Sequence, residues 1–182
     1  MKRAFLLILS VAMLAACGPN RDKEIQRIEE SEESLSMMDI AATDSAATDL
    51  VALYRQYAAH FPDDSLAPVY MQRAADLCIG IGQADQALLL LDSVITLYPG
   101  FEDVAGCWFL KGYAYETAAM YDKARETYAY FADNYPDHYL ADDARKSLPY
   151  IGMSPEEMFD AIMNASNNDL ASAPEAAPQT RR

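Results

Sequence analysis

Residues 108–136 read WFLKGYAYETAAMYDKARETYAYFADNYP. Trp108, Gly112 and Tyr115 stand at i, i+4 and i+7, and Ala124, Tyr128 and Phe131 repeat that spacing. Apolar and small residues so spaced lie along one face of a helix. AAMY (118–121) separates the two runs and is short enough for a tight turn. The second run ends at Tyr135-Pro136, and a residue before proline disfavours the α conformation, so the helix stops there. The stretch therefore predicts a hairpin of two helices, with Gly112 and Ala124 as the small surfaces that let them approach.

The hairpin recurs. Phe61-Pro62, Tyr98-Pro99 and Tyr135-Pro136 are aromatic-proline pairs at a constant spacing of 37 residues. One period before Ala124, Tyr128 and Phe131 stand Ala87, Leu91 and Val94, and one period earlier Leu50, Tyr54 and Tyr57. The first helix of the hairpin repeats likewise, with Met71, Ala75 and Cys78 one period before Trp108, Gly112 and Tyr115, and GIGQ (80–83) in the turn. Both helices are rich in good helix formers. The pattern fades at each end, as in a capped solenoid. Ser34, Met38 and Ala41 keep only part of the first-helix set, and Arg145, Pro149 and Gly152 lose it. A short helix with Leu140, Ala141 and Ala144 inward is still predicted, ending near Leu148. It is followed by SPEEMFDAIMNA (154–165), with Ser154 as N-cap, Pro155 at the first position and Glu157 completing a capping box. Met158 and Ala161 there repeat Tyr121 and Ala124.

The set from Trp108 to Pro136 resembles the tetratricopeptide signature. It departs at Lys111, where Leu is usual, and in its period, against roughly 34 residues for the family. The resemblance implies an all-α, right-handed superhelical solenoid of helix hairpins, about eight helices in all. It also implies a concave face lined by the first helix of each pair. On that face Tyr70, Gln72, Arg73 and Asp76 from one unit, and Phe109, Tyr113 and Glu116 from the next, are the expected partner contacts. Chaperone-binding relatives clamp a C-terminal carboxylate with Lys and Asn at the positions of Gln72, Asp76, Phe109 and Tyr113; those residues are absent, so no such ligand is expected.

DNYPDHYLADDA (133–144) holds four aspartates and His138, which raises a metal or acid–base site as a reading. Its counterparts HFPDDSLAPVY (60–70) and LYPGFEDVAGC (97–107) keep the aromatic-proline pair but not the histidine or the full set of acids. No calcium-loop spacing is present. The stretch reads as a turn between repeats, with Asp63 and Asp137 as first-turn or capping acids.

Met1-Lys2-Arg3, the apolar run 4–14 and Leu14-Ala15-Ala16-Cys17 have the shape of a signal peptide. The last four residues resemble the lipobox of bacterial lipoproteins, which implies cleavage after residue 16 and lipid on Cys17. Gly18 in place of Asp points to the outer membrane. RDKEIQRIEESEESLSMM (21–38) carries a weak helical stripe of Ile25, Ile28 and Leu35; it either extends the first helix or serves as a tether. The expected division is a leader over 1–16, an acidic tether over 17–30, the repeat domain over 31–165 with two clear repeats at 68–136, and a disordered tail over 166–182.

The formal charge is −14, and loss of Lys2 and Arg3 would take it to −16. A chain this acidic repels phosphate backbones, which excludes nucleic acid. Cys78 and Cys107 could pair in an oxidising compartment, but their helical positions suit small buried apolar residues. His60 and His138 have no nucleophile at a family spacing, and no phosphate-binding glycine loop occurs. No enzyme, cofactor or metal is expected. Together with the lipobox, YDKARETYAYFADNYPDHYLADDA (121–144) resembles the repeats of the BamD lipoproteins of β-barrel assembly and of the CpoB proteins of the Tol-Pal system. This implies a periplasm-facing outer-membrane scaffold for an envelope protein or peptide segment, tethered through its lipid. The competing reading is an accessory subunit that buttresses a larger complex without a binding groove.

Overall fold

The structure, a computed structural model, describes residues 18–37 and 43–172, the side chains of 165–172 excepted. Eight α-helices are present among these residues: α1 (Arg21–Ser36), α2 (Thr43–His60), α3 (Leu66–Gly80), α4 (Ala84–Leu97), α5 (Val104–Thr117), α6 (Tyr121–Asn134), α7 (Ala141–Ser147) and α8 (Pro155–Ser172). A 3-10 turn, Leu148–Tyr150, follows α7. No strand occurs among the described residues. Helices α1 to α7 each pack on their neighbours in chain order, and α3 also touches α5. The architecture is the expected all-α stack of hairpins, α1/α2, α3/α4 and α5/α6.

The 37-residue period is visible in single hydrogen bonds. The N–H groups of Phe61, Tyr98 and Tyr135 donate to the carbonyls of Tyr57, Val94 and Phe131, each at 2.9 Å. Those three aromatics then accept from Asp64, Phe101 and His138, and the latter three accept from Ala67, Val104 and Ala141. Each proline thus sits in the same double turn. The turns inside the hairpins match too. Gln83 N–H donates to Cys78 O at 2.7 Å and Met120 N–H to Tyr115 O at 2.8 Å, closing the same helix-ending motif around left-handed Gly82 (φ 73°) and Ala119 (φ 56°).

The core is aromatic and small by turns. Tyr57 meets the Tyr70 ring edge-on at 4.8 Å, and Tyr54 stacks on Tyr70 at 5.3 Å. In the next units Phe109 packs against Tyr128 and Phe131. Gly112 lies under the Tyr128 ring, where a Cβ would come to 2.8 Å, so this hairpin is closer than an alanine allows. Lys111 fills its apolar position by other means. Its Nζ reaches Asp92 Oδ1 on α4 at 2.6 Å while lying 5.0 Å from the Trp108 ring centre, so the stem packs and the charge ties two hairpins together. Cys78 and Cys107 are both buried and free.

Three expectations need correction. Most of the segment 17–30, assigned to an acidic tether, lies in α1, capped by the Asn20 side chain on Lys23 N–H. Ile28 is buried against α2, Glu24 meets His60 Nδ1 at 2.6 Å, and Arg21 Nε meets Asp64 at 2.5 Å. These contacts compensate a sparse apolar stripe. At the other end α8 begins with the predicted capping box, Glu157 N–H on Ser154 Oγ and Ser154 N–H on Glu157 Oε2. It does not close a hairpin, however: Ala161 is only partly buried where its counterpart Ala124 is wholly buried, and Phe159 is 63% exposed. α7 spans only Ala141–Ser147, and Gly152 (φ 81°), packed on the Tyr121 ring, turns the chain away. Finally α8 runs through Ser172, so the expected disordered tail begins in helix; residues 173–182, like the leader and Cys17, lie outside the described residues.

Candidate interaction groove

The odd-numbered helices α1, α3, α5 and α7 come first in their units and share one face. There α3, the start of α5 and the turn before α7 enclose an open cleft of about 340 Å³. Gln72, Arg73 and Asp76 form one wall, Asp103, Gly106, Phe109 and Leu110 the other, and Tyr139 and Leu140 close the end. Four of the residues expected on the concave face (Gln72, Arg73, Asp76 and Phe109) are thus brought together by a spacing of one helical turn on α3 and the repeat to α5.

The other three lie elsewhere. Tyr70 is only 4% exposed, within the Tyr54–Tyr57 aromatic cluster, and is a core residue. Tyr113 is 48% exposed one turn beyond Phe109 and does not line the cleft. Glu116 accepts from the buried Tyr128 hydroxyl at 3.4 Å. Burial, with Glu116 beside it, pushes the Tyr128 phenol above its ordinary range.

The cleft is acidic in a specific way. Arg73 is already neutralised: its Nη1 donates to Glu32 Oε1 of α1 at 2.7 Å, and its guanidinium lies 5.9 Å from the Tyr70 ring centre. The same Glu32 oxygen accepts from the Tyr54 hydroxyl. Asp103 accepts from Gln72 Nε2 at 2.6 Å and keeps half its side chain in solvent. The Asp76 side chain makes no hydrogen bond or ion pair among the described residues.

Asp103, Tyr139 and Leu140 escaped the sequence reading, which looked for groove residues on helices only. A signal was available. Asp103 stands one period from Leu66 and from Leu140, so an acid replaces an apolar residue in the middle unit alone. Gly106 answers it, since a Cβ there would strike the Asp103 carboxylate.

The histidine of the acidic turn now has a role. His138 Nδ1 accepts from Leu140 N–H at 3.3 Å, as Asp64 Oδ1 accepts from Leu66 N–H at 2.9 Å two periods earlier. A ring nitrogen does the work of a capping carboxylate. Asp64, not Asp63, is the capping acid of its turn. The Arg21 guanidinium and the Leu66 N–H hold its carboxyl at about 2. Among the described residues no group of three or more His, Cys, Asp and Glu side chains is placed to hold a metal ion.

A second hollow, about 660 Å³, lies between the outer helices α2 and α4. Ala58, Ala59, Pro62, Met71, Leu90 and Tyr98 are among its lining, and Leu89 and Leu97 stand at its edge 70% and 66% exposed. No described helix is long and apolar enough to cross a membrane.

Residues 107–138 match the family model of the tetratricopeptide repeat, which here covers α5, α6 and the turn to His138. No curated protein and no solved structure matches the chain. The α5/α6 hairpin thus matches a tetratricopeptide repeat within an all-helical stack, which suggests a protein–protein interaction scaffold.

Proposed function

We propose that this protein is a lipid-anchored scaffold of the bacterial envelope, held at the outer membrane through Cys17, that grips a partner polypeptide in its first-helix groove. The convergence of Gln72, Arg73, Asp76 and Phe109 on one open cleft is the observation that carries the groove. The anchor rests on the basic-apolar leader and Leu14-Ala15-Ala16-Cys17. Lipid at Cys17 would raise the local concentration of the groove at the membrane face, and the partner would be a component of envelope or outer-membrane protein assembly, as in the BamD and CpoB families. A periplasm-facing orientation fits this role.

The reading is tested by incorporation of a labelled fatty acid that Cys17→Ser abolishes, and by native-envelope crosslinking from Tyr139. Phe109→Ala should remove the crosslinked partner while helicity is kept.

The alternative, a buttressing subunit, is favoured by a different observation: the apolar hollow between α2 and α4, with Leu89 and Leu97 turned to solvent. On that reading Leu89→Glu with Leu97→Glu removes the partner, and Phe109→Ala does not.

A further inference from the structure

The cleft also carries information about what enters it. Three features bear on its occupant: a carboxylate with no hydrogen bond or ion pair among the described residues, a carboxylate introduced where the repeat has leucine, and an apolar floor open to solvent.

The charge balance comes first. Asp76 and Asp103 both line the cleft, and Arg73, the one Lys or Arg among the described residues that line it, is charge-balanced by Glu32. Only the Nη1 of Arg73 is engaged, but with Glu32 beside it the guanidinium brings no net positive charge to an occupant. Anionic segments are therefore repelled. Gln72 is neutral, and His138, whose Nε2 lies 4.0 Å from Asp103 Oδ1, brings at most one positive charge against the two carboxylates. Charge-assisted hydrogen bonds are stronger than neutral ones, so the Asp76 carboxylate and the free acceptor capacity of Asp103 favour a cation.

The apolar part comes second. Phe109, Leu110 and Leu140 are only partly buried, and the Tyr139 ring is 81% exposed at the open end. Exposed aromatics at the mouth of a cleft suit both an apolar side chain and the face of a guanidinium. The volume is that of a large side chain with part of its backbone, not of a helix.

The sequence supports selection at this unit alone. The position of Asp103 is Leu66 and Leu140 in the flanking units, and the position of Gly106 is Val69 and Asp143. The acid and the glycine that makes room for it occur together only in the middle repeat, where the cleft is.

We infer that the cleft recognises an extended partner segment in which an Arg or Lys adjoins a bulky apolar residue. The cation meets Asp76 and Asp103, and the apolar neighbour lies on Phe109, Leu110 and Leu140. The inference rests on the groove reading above and narrows it.

The test is fluorescence anisotropy on the full chain with three labelled twelve-residue Gly/Ser peptides whose centres are Arg-Phe, Glu-Phe and Arg-Ala. Arg-Phe should bind best, with each counterpart weaker by about tenfold or more. Asp76→Asn with Asp103→Asn should weaken Arg-Phe alone and bring it level with Glu-Phe. Both side chains are solvent-exposed, and unchanged circular dichroism of this variant confirms its fold. Equal binding of Arg-Phe and Glu-Phe overturns the inference and leaves the groove standing. Failure of all three peptides to bind overturns the groove together with it.

Discussion

Gly112 and Tyr128 are in contact across the α5/α6 hairpin so closely that a methyl at 112 would meet ring carbons at 2.8 Å. One period earlier the same two positions are Ala75 and Leu91, both wholly buried. The pair has exchanged bulk between its members, alanine with leucine in one unit and glycine with tyrosine in the next. Gly112→Ala should therefore destabilise the chain by about 1–3 kcal/mol, as overpacking of a tight core does. Tyr128→Leu in that background should recover much of the loss. Chemical unfolding of the two variants checks this; additive losses would refute the pairing.

Ala119 should prove a poor choice for its own turn. It holds the left-handed conformation that Gly82 holds one period earlier, at roughly 1–2 kcal/mol of steric cost for a residue with a Cβ. Ala119→Gly should raise stability by about 0.5–1 kcal/mol after the added freedom of the unfolded chain is subtracted. Thermal unfolding reads the sign; a lower melting temperature contradicts it.

The parallel between His138 and Asp64 predicts a difference between two substitutions. His138→Asn and His138→Ala both lose the ring's contact with Phe131, at 5.2 Å between centres. Only the asparagine keeps an acceptor for Leu140 N–H. It should be the more stable variant by about 1 kcal/mol, the usual worth of a capping side chain. Equal stabilities would mean that the 3.3 Å bond contributes nothing.

Acid should loosen the first unit before neutral solution shows any effect. Asp64 is held at about 2 by Arg21, below its ordinary 3.8. A carboxyl depressed in the folded state adds stability that is complete above its unfolded value and is lost as pH falls through its folded one. The stability difference between the native chain and Asp64→Asn should be constant above about pH 4 and shrink towards about pH 2. A difference that does not change over that interval would exclude the Arg21 pairing as its source.

Burial pushes the Cys107 thiol up to about 12, with Asp103 adding to the effect, and raises Cys78 as well. In a chain carrying Cys17→Ser, a thiol reagent at neutral pH should label neither until denaturant unfolds the stack. Fast labelling of either cysteine in the folded chain would contradict their place in the core.

What could be read from the sequence was whatever the repeat imposes. Aromatic-proline pairs at one interval gave the stops of α2, α4 and α6, and the i, i+4, i+7 sets gave the buried faces of α3 to α6. The first helix was misplaced because its hairpin does not keep the register. α1 ends at Ser36 and α2 begins at Thr43, whereas Gly80 to Ala84 and Thr117 to Tyr121 are tight turns. Shifting by 37 pointed to Ser34, Met38 and Ala41, the last two outside the described residues, whereas the buried Ile28 belongs to the weak stripe read over 21–38. Tyr70 was misread for the same reason: α1 and its neighbours cover it. In the groove, the resemblance to the tetratricopeptide signature pointed to Gln72, Arg73, Asp76 and Phe109. It gave no account of Asp103, Tyr139 or Leu140, whose positions depend on how the turns between units fold over. The α8 capping box was legible because it is local; the failure of that helix to pair depends on the short α7 and on Gly152, and is not.

Glu32 joins α1 to both Tyr54 and Arg73, and Arg21 fastens the beginning of the same helix to Asp64. The start of α1 is thus bolted to the turn before α3, and its last part to the Arg73 wall of the cleft. Tension applied at residue 18 would be borne by those two ionic fasteners in turn, so under the proposed function a pull on a lipid at Cys17 and the grip on a cargo would share one mechanical path.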